Sequence, residues 1–388
     1  MVYRLTTGMK SKPIKIVFAG GGSGGHFYPI MAVAENIILL KDREHLANLE
    51  LYYMSDDPYD VNLLAAMHIS YIKVAAGKRR TYFSVKNFFD IFKTLYGCFI
   101  ATIRLALLYP DVIFGKGGYA SFPAMFAARI LRIPVVIHES DIVPGKVNRW
   151  IGNYAMKIAL SYPEAEKYFL HKDRIALTGQ PIIKALLEMP SEDPHVALKL
   201  EPGIPVILVI GGSQGAERIN ENLADIMPRL VENYQVIHQT GEANYAWIKK
   251  RVTDVLLGVA HAGRYHPFPY LESKQLRLGA KAATLVISRA GSAIFEIAFW
   301  AKPALLIPLP IARDDHQREN AYGYARTGAA TIIEEQNLKP ELFLSVIDSI
   351  MKDKEKQEAM ILGARGFAKT DAGDKIAQAL LSIITKHD

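Results

Sequence analysis

GGGSGGH (20–26) follows the apolar run 14–19, and GGSQGA (211–216) follows the apolar run 206–210; each glycine turn opens an amphipathic stretch. A chain that writes strand, glycine turn and helix twice, about half its length apart, predicts two similar α/β lobes facing a shared cleft. Glycine takes positive φ and lets backbone come close to a bound group, while the helix that follows offers free N–H groups and the positive end of its dipole. Such a turn suits phosphate or diphosphate, or serves only as a tight strand-to-helix connection. Two copies in matching context favour a ligand. Neither copy is a full dinucleotide fingerprint: Gly20, Gly22 and Gly25 fit GxGxxG, but no acidic residue closes a second strand about 20 positions on. Neither is a P-loop, because no Gly-Lys-Ser/Thr follows.

Composition agrees with this reading. The chain has 388 residues, half of them apolar, enough for two or three domains with full cores at roughly 150 residues each. A formal charge of +7 points to an anionic partner, whether nucleic acid, sugar nucleotide or an acidic membrane surface. Cys98 is the only cysteine, which excludes a disulfide framework and a cysteine-based metal site and fits a reducing cytoplasm. The start MVYRLTTGMKSKP is basic but has no apolar core of signal-peptide length, so the protein is expected to stay inside the cell.

Short runs of Val, Ile and Leu alternate with longer helical patterns, the signature of parallel sheets with crossover helices. Strands are predicted at 14–19, 51–54, 112–114 and 135–138, then at 206–210, 235–238, 285–288 and 304–307. Helices are predicted near 29–40, 122–131, 216–230, 293–300 and 316–327. The stretch MPSEDPHVALKLEPGIP (189–205) reads as a linker, and 352–387 is helical in composition. This gives a first domain at 1–190, a second at 191–365, and a terminal helix at 366–388 that either ends the second or crosses back to the first.

Residues 77–108 depart from plain α/β packing. A basic cluster, Lys78-Arg79-Arg80, precedes Phe83, Phe88, Phe89, Phe92, Leu95, Tyr96, Phe99 and Ile100, with Lys86, Lys93 and Arg104 interspersed. The longest uncharged run, 94–103, falls far short of the ~20 apolar residues that span a bilayer, so no crossing is expected. What remains is either a core helix with a solvated basic edge or a surface whose aromatics enter lipid while Lys and Arg meet anionic headgroups.

The polar motifs fall at the carboxyl ends of the predicted strands, where open parallel sheets bind ligands. His26 follows the first glycine turn; it is either a packing residue or a general base able to take a proton from a sugar hydroxyl at neutral pH. His138-Glu139-Ser140-Asp141 ends another strand, and no second histidine at helical spacing makes it a metal site. A third glycine turn, 115–121, precedes Pro123, and with the first it would suit a diphosphate at Gly22, Gly117, Gly118 and Tyr119. Glu296 can accept both hydroxyls of a ribose, and Gln317 and Asn320 share one helix face at i and i+3. Taken singly, each of these also reads as a cap or a solvated helix face.

Together, GGGSGGHFYP (20–29), FGKGGYASFP (114–123), HESDIVPGKVNR (138–149), ILVIGGSQGAERIN (207–220), HQTG (238–241), VISRAG with EIAFWAKPALLIPLP (286–310) and DDHQRENA (314–321) resemble the MurG family. Its members are bacterial transferases that add N-acetylglucosamine to lipid-linked muramoyl-pentapeptide. The ordered set runs from about 14 to 335 and is far more specific than any one piece. The resemblance implies a GT-B fold of two Rossmann-like lobes, acceptor on the first and UDP-N-acetylglucosamine mostly on the second. It implies inversion without a covalent intermediate, no metal and no other cofactor, and a peripheral place on the cytoplasmic face of the plasma membrane. Matched by position, Ser23, Gly24 and Gly25 fall on donor contacts and His26 on the base for the acceptor hydroxyl. Ser213 and Gln214 fall near uracil and diphosphate, Leu271 on a backbone contact to uracil, Glu296 on the ribose and Gln317 near the donor sugar.

Three positions depart from the family pattern. Ser140-Asp141 stands for its Gln-Asn, so a carboxylate would meet the donor sugar. Ile183, followed by Lys184, replaces an arginine, and the loop from Gly291 to Glu296 is one residue shorter. Two other functions compete: a GT-B enzyme for another lipid acceptor such as diacylglycerol, and a nonenzymatic sugar-nucleotide-binding protein. A nucleic-acid role has only the positive charge behind it.

Overall fold

The structure is a computed structural model that describes residues 13–44, 48–78, 86–211, 216–310 and 315–385. Its first sheet contains β1 (Ile14–Ala19), β2 (Leu49–Ser55), β3 (Ile69–Lys73), β4 (Val112–Gly115), β5 (Val135–Glu139), β6 (Lys157–Leu160) and β7 (Ile175–Leu177). They lie in the order β3-β2-β1-β4-β5-β6-β7. The second sheet contains β8 (Val206–Ile210), β9 (Gln235–Gln239), β10 (Tyr265–Phe268), β11 (Ala283–Ser288), β12 (Ala304–Leu306) and β13 (Ala330–Ile332) in the order β10-β9-β8-β11-β12-β13. Every pairing is parallel, and in each sheet the order reverses beside the strand that leads into a glycine turn. That reversal opens a crevice at the strand ends.

Both faces of the central strands are covered, which is why they read as unbroken apolar runs. Ile16 and Phe18 of β1 pack with the helix Gly24–Glu44, while Val17 and Ala19 pack with the helices Lys86–Leu108 and Phe122–Leu131. In β8, Ile207 and Val209 face one core and Val206, Leu208 and Ile210 the other. All eight expected strands form; β3, β6, β7, β10 and β13 were not expected. Four of those five are sheet edges, where half-exposed strands such as ISYIK or YHPF lack the apolar run that marks a buried one.

The first helix starts at Gly24, five residues before its expected start, because the N–H groups of His26 and Phe27 both donate to the Ser23 carbonyl. This places His26 in the first helical turn. The segment 189–205 holds the short helix Pro194–Ala197 and is tied to the second lobe: Lys281 Nζ donates to the carbonyls of Pro190 and Glu192, both at 2.9 Å. The last helix, Ala372–Ile384, buries Ile376, Leu380, Leu381 and Ile384 in the core of the first sheet, against Phe27 and Ile30. A second bridge between the lobes is aromatic, with Phe295 stacked on Phe367 at 5.6 Å and Tyr162 beside both.

The helix Lys86–Leu108 has two contrasting faces. Gly97, Cys98, Ala101 and Leu105 are buried, and Gly97 lies so close to the Ala75 carbonyl that no side chain would fit between them. The opposite face leaves Phe89 67%, Leu95 60% and Phe99 64% exposed, with exposed Lys93 and Arg104 among them. Its stretch Phe88–Leu108 is 21 residues long and apolar enough to cross a membrane by length and composition. Asp90, Lys93 and Arg104 stand within this stretch, and its buried face packs into the core of the first lobe.

Candidate active site

A cavity of about 460 Å³ lies between the lobes at the carboxyl ends of both sheets. Ser23, Gly24 and Gly25 form its wall on the first lobe; Leu271, Glu296 and Gln317 stand on the second. The lobes come close here: a Cβ added to Gly25 would lie 3.6 Å from Ser292 Oγ. These six residues were all named from the sequence and are brought together by the fold. Ser213 and Gln214 lie outside the described residues, although their neighbour Gly211 lines the cavity.

His26 stands beside this cavity. Its Nδ1 is 2.8 Å from Ser23 Oγ, and its Nε2 is directed at Gly118, 3.3 Å from where a Cβ would be. Gly118 has φ +79°, so both its backbone and the space for the ring require glycine. A proton on Nδ1, donated to Ser23, leaves the Nε2 lone pair free. The ring surface is partly open to the cleft, yet protein surrounds it, and this burial pushes the imidazole down to about 4. Lys116 and His316 push it in the same direction, and Asp141 opposes them. At neutral pH the ring is therefore unprotonated.

The acceptor-side glycines form one surface next to His26. Gly22, with φ +83°, packs on the Tyr119 ring, and Gly117, with φ +85°, packs on the Asn148 amide. Asn148 Nδ2 in turn donates to Glu139 Oε2 at 2.9 Å, and Glu139 also accepts from the N–H groups of Asp141 and Gly145. The HESD segment is thus held rigidly against the third glycine turn.

On the opposite wall, Glu296 sits in the first turn of the helix Ala293–Phe299, and no donor among the described residues meets its carboxylate. Burial pushes it up to about 7. Leu271 presents its N–H to Gln239 Oε1 at 3.0 Å, and Gln317, which lines the cavity, accepts at Oε1 from Leu309 N–H at 3.1 Å.

Two expected donor contacts are placed differently. Asn320 Nδ2 donates to Asp141 Oδ1 at 2.8 Å, and its Oδ1 accepts from Ile142 N–H at 2.9 Å. Asp141 and Asn320 therefore clasp the lobes together, and neither lines the cavity. The reason is local: with a carboxylate at 141, the buried amide of Asn320 has a charged acceptor within reach. Ile183 lines the cavity from the first-lobe core, while Lys184 is exposed and off the wall. Arg289, which does line it, is paired with Glu335. Sequence reasoning passed over Tyr28, Tyr59 and Tyr270, which edge the cavity; Tyr28 follows the first glycine turn, whereas Tyr59 and Tyr270 stand in segments without a motif.

Comparison with known proteins fits this geometry. Residues 16–160 match the glycosyltransferase family 28 N-terminal domain, and residues 206–376 the glycosyltransferase family 28 C-terminal domain. The chain belongs to glycosyltransferase family 28. Within that family it is 31% identical over 380 residues to a UDP-N-acetylglucosamine--N-acetylmuramyl-(pentapeptide) pyrophosphoryl-undecaprenol N-acetylglucosamine transferase of Acetivibrio thermocellus, covering 96% of this chain and 98% of that one. It is 34% identical over 363 residues to the Halothermothrix orenii protein of the same name, covering 92% and 95%. Acinetobacter baumannii MurG superposes with a TM-score of 0.72 at 25% identity, covering 95% of this chain and all of that one. A Neisseria meningitidis UDP-GlcNAc 2-epimerase, solved with UDP-GlcNAc, has a TM-score of 0.64 at 15% identity over 96% of this chain, which is a likeness of fold alone. As a member of family 28, the chain is a glycosyltransferase with the two-lobed GT-B architecture.

Proposed function

We propose that this glycosyltransferase moves N-acetylglucosamine from UDP-N-acetylglucosamine to the 4-hydroxyl of a lipid-linked muramoyl-pentapeptide, with inversion at the anomeric carbon. The observation that carries the reading is the pairing across one cleft of an unprotonated His26 on the first lobe with an unpartnered Glu296 on the second. Glu296 accepts the ribose hydroxyls, and Gln317 donates to the sugar. The N-terminus of the helix Glu217–Asn233, next after the second glycine motif in the sequence, holds the diphosphate. The acceptor diphosphate lies over the glycine surface of Gly22, Gly117, Gly118 and Tyr119. His26 Nε2 takes the proton from the 4-hydroxyl, that oxygen bonds to the anomeric carbon, and the bond to the donor diphosphate breaks with its electron pair leaving on UDP.

The acceptor domain comprises 1–190 with the terminal helix 366–388, and the donor domain 191–365. The exposed face of the helix Lys86–Leu108 lies on the anionic inner surface of the plasma membrane, its aromatics in the interface and Lys93 and Arg104 at the headgroups. Crossing the bilayer would pull Ala101 and Leu105, both 0% exposed, out of the core of the first lobe.

Labelled N-acetylglucosamine is followed from UDP to a lipid-linked muramoyl-pentapeptide analogue, beside UDP-glucose and with a chelator. Transfer of N-acetylglucosamine alone, indifferent to the chelator, is expected. UDP binding without transfer would direct the search to another lipid acceptor.

A further inference from the structure

Lys116 is 2% exposed, yet none of the family chemistry above uses it. Burying an ammonium is costly unless something nearby needs its charge. Its N–H bonds to the Ala19 carbonyl at 3.0 Å, which fixes it across the end of β1. Its Cβ lies 3.4 Å from the position a Gly20 side chain would take, and the His26 carbonyl lies 3.8 Å from that same point. The Lys116 side chain and the His26 backbone thus flank Gly20, while Gly118, two residues after Lys116, meets the His26 ring. At its far end the ammonium donates to Ser140 Oγ at 2.9 Å. Ser140 sits between Glu139, which is 4% exposed, and Asp141, and no ion pair at contact distance serves either carboxylate among the described residues.

A carboxylate facing an imidazole ordinarily draws a proton onto it, and Asp141 acts on His26 in that direction, with Glu139 adding a second buried carboxyl on the same segment. We propose that Lys116 is the charge-balancing residue of this active site: its buried ammonium, and not a protonated His26, offsets Glu139 and Asp141, so that the imidazole stays free to accept the proton of the acceptor hydroxyl. The proposal rests on the reading of His26 as the base. Lys116 is a positioning residue in this scheme, acting on the reaction only through His26. The groups that face His26 are Ser23 from just before its own helix, Lys116 and Asp141 from the first lobe, and His316 from the second. Burial lowers the lysine itself, and Glu139 and Asp141 counter that by favouring its charged form. Burial raises Glu139, as does Asp141, and Lys116 works against both.

The test reads His26 with and without turnover. In full-length protein bound to UDP, with histidines labelled in the ring, the His26 signal is assigned by its loss in H26Q and titrated by NMR. K116M is expected to raise the His26 midpoint by about one to two pH units. Transfer by K116M should then fall about two- to tenfold more at pH 5 than at pH 8.5, with K116R restoring the flat profile. Should K116M fold poorly, D141N and K116M/D141N give the same comparison with the local charge lowered by one carboxylate; the double variant should titrate above D141N alone. A midpoint that does not move in folded protein, with transfer lowered equally at all pH, would overturn the proposal. A wild-type chain whose His26 titrates as predicted but transfers nothing would overturn the functional reading alone.

Discussion

At the scale of single residues, the site works through two groups that burial drives towards their neutral forms. His26 is pushed down to about 4, so it holds no proton at neutral pH and can accept one. Replacing it by alanine is expected to lower transfer roughly 10²- to 10⁴-fold. The Kd for UDP, measured by calorimetry, should change less than twofold, since the base touches the acceptor; a His26→Ala chain that kept its rate would remove the role. Glu296 is pushed up to about 7 by burial. Between the ordinary carboxyl range and 7 the folded group keeps a proton that the unfolded one releases, so stability declines as pH rises through that window and levels off above it. Deprotonation is also what lets it accept two ribose hydroxyls, so UDP affinity should strengthen as pH approaches 7 from below. E296Q is expected to flatten both trends and to raise the KM for donor about tenfold, the worth of one hydrogen bond to a charged group. Titration of UDP affinity between pH 5.5 and 8 reads the outcome.

At the scale of elements, the helix Lys86–Leu108 separates stability from location on its two faces. F89E/F99E alters rings that are 67% and 64% exposed, so the melting temperature should stay within about 2 °C while binding to anionic vesicles weakens at least tenfold. L105A, at a side chain with 0% exposure, should instead cost about 2–5 kcal/mol in denaturant unfolding. Vesicle binding that survived F89E/F99E would move the membrane contact to another surface. The glycine turns show the same division of labour within an element: Gly117 and Gly118 adopt φ +85° and +79° and bring the backbone against Asn148 and His26. The first and third turns together form the floor beside the base, and neither would do so alone.

At the scale of the whole molecule, the terminal helix Ala372–Ile384 closes the core of the first sheet from the far end of the chain. Removing 372–388 exposes Phe27 and Ile30 and strips five buried Ile and Leu side chains from that core. At about 1.5–3 kcal/mol for each large side chain, this approaches a domain's entire margin of stability. The truncated chain is expected to be insoluble or to melt more than 10 °C lower by circular dichroism; an unchanged transition would mean that the first lobe is complete without the helix. The lobes are joined again at the Asp141–Asn320 clasp and where Tyr162 meets Phe295, so the geometry of the cleft depends on residues over a hundred positions apart.

The residue sequence by itself determined the doubled α/β plan, because parallel strands covered on both faces must be continuous apolar runs and glycine turns must follow them. It also determined six of the residues that line the cavity, because the ordered motifs that carry them resemble those of the family. Edge strands such as β10 stayed hidden, because half-exposed backbone imposes no strong pattern on its side chains. Only the tertiary structure decided that Asn320 meets Asp141 and not the cavity, that Ala372–Ile384 completes the first lobe, and that Lys116 is buried beside His26. Each of these depends on pairing and desolvation between distant segments, and spacing along a chain carries no record of which charge ends up next to which.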